Sequence, residues 1–278
     1  MNHKRYNFIC VNYNGADFCR SLCSSLELLA VPSDSQVRLI IVDNNSSEKD
    51  KVSIKQIHSD RVDIKIINLE KNIGYFPGMN HGVLYSRESD NDVIIIGNND
   101  LKYRSDFITN LDLLNISDET LVICPDVVTI DGIHQNPLST KKISKLGLLR
   151  EDLYYSNYYI SRAMRAIAQI MRKAMFWRSS NKNSNGYTEH AMNIDRGIGA
   201  CYVLTNNFFK HFKKLDDRVF MWGEEALLSN QISSVNGQIR YEPSLVVEHF
   251  ESGTVKKMLT RERYEIVRKS YKIYRGYL

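Results

Sequence analysis

Between Val93 and Leu101 an apolar, β-branched run ends abruptly in Asn98-Asn99-Asp100. A buried parallel strand ends this way when its carboxyl end opens onto a crevice, which is where open α/β sheets hold their ligands. Asp100 would then be a carboxylate at the mouth of the sheet, gripping a divalent cation and through it a diphosphate. Asn-Asn-Asp is also good turn chemistry, so this stretch by itself permits a plain strand-to-loop turn. A second polar terminus, Asp43-Asn44-Asn45-Ser46-Ser47, ends the strand-like run Val37–Val42. The loop Asn72-Ile73-Gly74 leads into an apolar helical pattern, and a glycine-bearing helix entrance suits an anion.

The elements that must position these residues alternate from the N-terminus. Residues 6–13 read as a buried strand, with Asn14-Gly15 turning the chain into a helix over 16–30 whose Phe18, Leu22, Leu26 and Leu29 share one face. Strands at 37–42 and 62–69 flank a helix at 48–58. A helix over 75–88, the strand leading to Asp100, a helix over 105–115 and a strand at 121–125 follow, and Asp131-Gly132 signals a hairpin. Such alternation predicts a largely parallel sheet with helices on both faces. It sets Tyr13, Asn14, Asp43 and Asn98–Asp100 along one rim, as a nucleotide crevice requires. The first strand-to-helix turn carries no G-x-G-x-x-G, and no G-x-x-x-x-G-K-[ST] occurs in the chain.

Beyond residue 133 the alternation stops. Ile160, Met164, Ile167, Met171 and Met175 recur at helical spacing opposite Arg162, Arg165, Arg172 and Lys173, after the Tyr-rich Tyr154–Tyr159. This basic amphipathic helix either packs on the sheet or lies in an anionic membrane interface. Residues 179–186 read as a polar loop. Order resumes with a strand at 198–204, helices at 206–213 and 226–235, and a strand at 238–247. A loop over 249–253 and a basic helical tail from 255 complete the pattern.

With 278 residues, 43% of them hydrophobic, the chain is long enough for a sizeable core. It has no run of about 18 apolar residues, which excludes an apolar membrane-crossing helix, and no signal-peptide pattern at Met1–Arg5. Its five cysteines, odd in number and scattered, argue against a disulfide framework and for core thiols in a soluble cytoplasmic protein. The net charge of +5 is modest. Its basic residues gather between Lys141 and Lys182 and again between Lys256 and Arg275, which points to phosphates or a membrane surface. No nucleic-acid motif accompanies them, and nucleic acid is not expected as a partner.

Taken together, Val11-Asn12-Tyr13-Asn14, Val42–Ser46, Asn72–Tyr75 with Gly78–Gly82, Asn98-Asn99-Asp100, Phe220–Glu225, and His249 with Ser252 resemble a family 2 glycosyltransferase of the GT-A fold. The resemblance is especially to bacterial rhamnosyltransferases of surface-polysaccharide (O-antigen or capsule) assembly, and it covers roughly residues 6–130 and 195–255. It implies one Rossmann-like domain over 1–255. Within it, a nucleotide-binding half spans about 1–130, a basic helical insertion about 140–190 and an acceptor half about 194–255. A basic C-terminal helix over 256–278 follows.

The resemblance also assigns roles. Asp43 would accept from the base, with Tyr13, Asn14 and Asn45 beside it, although Asp43 can equally be a helix cap or turn residue. Asn72, Gly74 and Asn80 would serve the donor's ribose and diphosphate, together with Asn98 and Asn99. Asp100 and His249 would hold Mn²⁺ or Mg²⁺, and a lone His after a strand can also be an ordinary structural residue. Trp222 and Gly223 would wall the acceptor, Glu225 would act as general base and Glu224 would support it. Paired carboxylates at a helix start also complement the dipole, though that leaves the preceding Trp-Gly unexplained.

Two departures from the family pattern stand out. Asn98 replaces the first aspartate of the D-x-D motif, and Glu225 replaces an aspartate, with no third acid after it. A single carboxylate suffices for a hard cation when phosphates and water complete its shell. The expected reaction is an inverting transfer from a TDP- or UDP-linked sugar, rhamnose or another hexose, to a glycan hydroxyl. A polyprenyl-diphosphate-linked acceptor at the inner face of the cytoplasmic membrane fits the basic helices. The alternative is a nucleotide-sugar-binding scaffold without efficient turnover. Oligomeric state is not legible.

Overall fold

The computed structural model describes residues 4–89, 91–176, 188–251 and 260–278, with side chains omitted for 172–176. The expected loop at 179–186 and Ser252 lie outside the described residues.

Four strands build the first half of the sheet: β1 (Arg5–Asn12), β2 (Gln36–Asp43), β3 (Val62–Asn68) and β4 (Asp92–Asn98). They pair in parallel in the order β3-β2-β1-β4. Helices α1 (Ala16–Glu27), α2 (Glu48–Lys55) and α3 (Tyr75–Ser86) make the crossovers, as parallel strands require. Alternate residues of each strand point to opposite faces, so there are two cores. Phe8, Cys10, Leu39 and Ile41 pack with Leu22 and Leu26 of α1, while Ile9, Ile40 and Val42 pack with Phe76, Met79 and Val83 of α3. The α/β fold with its mostly parallel sheet is the one expected.

The second half adds antiparallel pairs. β5 (Leu101–Tyr103) follows β4 directly, and α4 (Phe107–Asp112) leads to β6 (Thr120–Thr129). After β7 (Met192–Ile194) come β8 (Cys201–Leu204), α7 (Asn206–His211), α8 (Glu224–Ser233) and β9 (Gln238–His249). The sheet continues β4-β8-β6-β9-β5, with β7 also on β9. β8 is antiparallel to β4 and β6, whereas β6 and β9 run parallel. The three-residue strands β5 and β7 are too short to show a periodicity in sequence. β5 matters to the site, because it pairs Leu101 with His249. His249 is therefore the last residue of a strand rather than part of the expected loop.

The 145–176 segment forms two helices, α5 (Lys145–Ser156) and α6 (Tyr158–Phe176), where one was expected. Ser144 caps α5, its hydroxyl accepting from the Gly147 N–H at 3.1 Å. A final helix, α9 (Thr260–Tyr274), packs on this pair. Tyr155 stacks on Tyr271 with ring centroids 4.4 Å apart, and the Tyr271 hydroxyl donates to Asp152 at 2.6 Å.

Candidate active site

A cleft of about 460 Å³ opens at the carboxyl ends of β1, β2 and β4. The strand register explains its place: Asn12 lies beside Asp43 at the ends of β1 and β2, and Val11 beside Asn98 of β4. Tyr13, Asn72, Gly74, Asn98, Asn99, Asp100, Trp222, Glu224, Glu225 and His249 all line it. Residues 236 positions apart in sequence, 13 and 249, thus face one cavity.

At one side stands Asp100, 7% exposed, with its Oδ1 3.4 Å from His249 Nε2. The pairing of β5 with β9 and the bond from the Phe250 N–H to the Asp100 carbonyl at 3.1 Å bring the two together. Asn98 Nδ2 lies 3.2 Å from the same imidazole nitrogen. Two flanking residues that the sequence did not single out, Gln135 and Glu251, also line the cleft. Gln135 Oε1 is 2.7 Å from His249 Nδ1, and Gln135 Nε2 donates to Glu251 Oε1 at 2.7 Å.

At the same cleft the chain turns into α8 through Trp222 (φ 63°) and Gly223 (φ 101°). A left-handed backbone at a residue as bulky as tryptophan is uncommon, and such conformations concentrate at functional sites. This turn puts both carboxylates in the first turn of α8, where the helix dipole favours negative charge. Glu225 Oε1 accepts from the Gly199 N–H at 3.2 Å. Glu224 is 5% exposed, and its Oε1 is buried with no hydrogen-bond partner. Burial, joined by the charge of Glu225, pushes the Glu224 carboxyl up to about 8. The Tyr75 hydroxyl, held well up by burial, donates to the Gly199 carbonyl at 3.2 Å. Arg263 of α9 sits over the Trp222 ring, 5.4 Å from its centroid.

Other expected site residues make bonds within the architecture. Asp43 is fully buried and does not line the cleft. Its Oδ1 accepts from Asn12 Nδ2 and its Oδ2 from the Ser46 N–H, both at 3.1 Å, which closes the turn after β2. From that turn Asn44 faces the cleft instead. Its side chain binds Asn72 Oδ1, the Gly74 carbonyl and the Ile73 N–H, each at 2.9 Å, and so pins the 72–74 loop. Asn80 is buried beneath the cleft wall. It donates to the Leu215 carbonyl and Asp217, accepts from the Leu215 N–H, and lines no part of the cavity.

Asn14 (φ 56°) and Asn45 (φ 62°) take left-handed turn positions outside the lining, and the Asn14 side chain accepts from the Ser47 N–H at 2.9 Å. Asn99 lines the cleft while donating to Asn12 Oδ1 at 3.0 Å, a bond that holds the β1 and β4 ends together. Gly74 (φ 102°) lies so close to Phe220 that an added Cβ would meet its carbonyl oxygen at 2.1 Å. That approach joins the 72–74 loop to the segment carrying Trp222.

The donor set beside Asp100 is one carboxylate, one imidazole and one amide. Among the described residues no group of three or more His, Cys, Asp or Glu side chains converges. Such a set suits a hard divalent cation whose other positions are filled by phosphate oxygens and water, and it suits a closed all-protein site poorly.

The family model described as "Glycosyl transferase family 2" matches residues 8–192. No curated protein matches the chain. Among solved structures, the chain resembles GalNAc-T7 with UDP, GalNAc and Mn²⁺ at 14% identity and a TM-score of 0.57, over 90% of this chain and 44% of that one. It resembles S. aureus TarS 1-349 at 12% identity and 0.54, over 88% and 60%. It also resembles the mannosyltransferase PcManGT from Pyrobaculum calidifontis in complex with GDP-Man and Mn²⁺, at 11% identity and 0.54, over 98% and 65%. The chain thus spans 44% to 65% of these proteins' lengths, and at such identities the likeness is one of fold.

Proposed function

The chain belongs to glycosyl transferase family 2, and on that premise we propose that it transfers a sugar from a nucleotide-diphospho-sugar to an acceptor hydroxyl with inversion. One observation carries this reading: a single cleft is lined by both the Asp100–His249 pair and the Glu224–Glu225 pair. The first pair suits a diphosphate leaving group and the second suits deprotonation of an incoming hydroxyl. The donor would be a TDP- or UDP-linked hexose, rhamnose among them, with Tyr13 and the Asn44–Asn72 turn beside its nucleoside.

A divalent cation, Mn²⁺ or Mg²⁺, held by Asp100 and His249 with Asn98 alongside, would supply charge neutralisation to the departing diphosphate. Glu225 serves as the base. It is the carboxylate of the pair that is not fully buried, and the Gly199 N–H holds it at 3.2 Å. A positioned base of this kind contributes ~10²–10⁴-fold. Glu224, protonated over much of the neutral range, offers a hydrogen to the acceptor or to Glu225. Trp222, held open by its left-handed turn, walls the acceptor side.

For the acceptor we propose a lipid-linked glycan met at an anionic membrane surface. Ile160, Ile167, Ile170 and Met171 form a stripe on α6 that points to solvent, while Ser161 is buried. Leu146, Leu149 and Leu153 make a second exposed stripe on α5, flanked by Lys145 and Arg150. Such faces with basic borders suit a headgroup interface. Among the described residues no helix is long and apolar enough to cross a membrane.

A panel of nucleotide-sugars with Mn²⁺, read first by thermal shift and then by nucleotide release with acceptors, tests the assignment. Glu225→Gln should lose transfer by at least 10²-fold while keeping the thermal shift. Near-parental turnover in that variant would remove Glu225 as the base. Donor binding without turnover on any acceptor would favour a binding scaffold.

A further inference from the structure

The contacts around His249 fix which of its nitrogens carries hydrogen. Glu251, when ionised, can only accept hydrogen bonds. The Gln135 side chain meets Glu251 Oε1 at 2.7 Å, so the Gln135 amide must turn its Nε2 to that carboxylate. Its Oε1 is thereby turned to His249, 2.7 Å from Nδ1. A carbonyl oxygen only accepts, so the hydrogen resides on His249 Nδ1. Nε2 faces the cleft side of the ring, 3.4 Å from Asp100 Oδ1 and 3.2 Å from the side-chain amide of Asn98. The assignment of hydrogen to Nδ1 rests on Gln135, whose Oε1 can only accept.

Backbone geometry explains why Gln135 stands where it does. The hairpin turn at Asp131-Gly132 folds the chain back along β6, with a bridge between Val128 and His134 and a bond from the Gln135 N–H to the Val127 carbonyl at 2.8 Å. The neighbours of Gln135 are anchored separately. His134 Nδ1 meets buried Asp126 at 2.8 Å, and Asn136 donates to the Pro125 carbonyl at 2.7 Å. Gln135 alone of the three lines the cleft.

We propose that Gln135, oriented by Glu251, is a positioning residue that holds His249 in its Nδ1–H tautomer and so presents the Nε2 lone pair beside Asp100 as a cation ligand. A partner on the far nitrogen is what orients metal-binding imidazoles, and its loss typically costs 10–100-fold in metal affinity. The inference rests on the cation site proposed above, and its test separates the two.

The first measurement uses the metal-free protein. Long-range ¹H–¹⁵N correlation reads the ring-nitrogen shifts of His249, assigned by their loss in His249→Ala. The parent should show a protonated Nδ1. Gln135→Leu should move the hydrogen toward Nε2. The paired exchange Gln135→Glu with Glu251→Gln, which keeps an acceptor against Nδ1 and a donor between the two side chains, should restore the parental pattern. Gln135 is only partly buried, so these changes leave the core intact. An unchanged His249 pattern in Gln135→Leu overturns the inference.

The second measurement titrates Mn²⁺ with UDP present and reads free Mn²⁺ by electron paramagnetic resonance. Gln135→Leu should weaken binding 10–100-fold, and equal binding by parent and variant overturns the positioning role. If the tautomer shifts in the first experiment but the parent binds no Mn²⁺, the cation reading fails while the Glu251–Gln135–His249 relay stands.

Discussion

The two adjacent carboxylates of α8 meet different fates because the helix turns one inward. Glu224 carries a raised pKa of about 8 and an unpartnered oxygen, whereas Glu225 is held by a backbone N–H. Between its unfolded value near 4.5 and about 8, the folded chain binds the Glu224 proton more tightly than the unfolded chain does. Stability therefore falls as pH rises through that window. Glu224→Gln, uncharged at every pH, should flatten that fall. Relative to the parent it should gain on the order of a few kcal/mol between pH 5 and pH 8, since each tenfold difference in proton affinity is worth about 1.4 kcal/mol. Urea midpoints of both proteins at the two pH values check this, and parallel pH profiles would contradict it. At the same scale, Asp100→Asn should abolish any Mn²⁺-dependent thermal shift on donor binding while leaving the fold stable, since the side chain keeps its shape. A retained shift would exclude Asp100 as a ligand.

At the scale of elements, the site depends on two short connections rather than on the helices themselves. The 72–74 loop is bound to the turn after β2 through Asn44 and to the 220–222 segment through the Tyr75 N–H, which donates to the Phe220 carbonyl at 2.8 Å. Gly74 makes this approach possible. At φ 102° and ψ −174° it occupies backbone space that side chains forbid, and a Cβ would strike Phe220. Gly74→Ala should cost about 1–3 kcal/mol from backbone strain alone. It should also weaken donor binding, read as a lower denaturation midpoint with a smaller ligand-induced shift. Asn80→Ala offers the contrast. It removes three bonds to the 215–217 segment beneath the cleft wall. Its loss should appear as stability, by roughly 1–3 kcal/mol, with donor affinity nearly unchanged in the protein that remains folded. A selective loss of donor affinity would return Asn80 to the cleft.

Across the whole molecule, α9 links the outer helices to the Met221–Trp222 segment. Its Tyr264 and Tyr271 pack on α5 and α6, its Arg268 donates to the carbonyls of Tyr155 and Ser156, and its Ser270 donates to the Met221 carbonyl at 2.7 Å. Whatever engages the exposed stripes of α5 and α6 is thereby joined to Trp222 by packed side chains. Flotation with vesicles containing anionic lipid should carry the protein upward, and less so with zwitterionic vesicles or high salt. Ile167→Glu with Ile170→Glu, both at exposed positions, should abolish flotation without lowering the melting temperature. Equal flotation of that variant would remove α6 from the contact.

The sequence alone determined what repeats locally. Hydrophobic periodicity located the parallel strands and their helices, and the abrupt polar termini at Asn98–Asp100 and Asp43–Ser46 located the rim of the cleft. Adjacent carboxylates after Trp-Gly were legible for the same reason, since type and spacing survive without coordinates. Only the tertiary structure decided which polar residues of that rim face the cavity. Asp43 and Asn80 turn inward to satisfy buried backbone groups, because an unpaired N–H or carbonyl in the core costs more than a polar side chain turned toward it. Asn44 faces the cleft from the same turn as Asp43, a one-residue difference that no periodicity encodes. The meeting of Asp100 with His249, and of both with Gln135 and Glu251, depends on β5, a strand of three residues, and on a hairpin. Long-range pairing carries no local signature, so those contacts exist only in the folded chain.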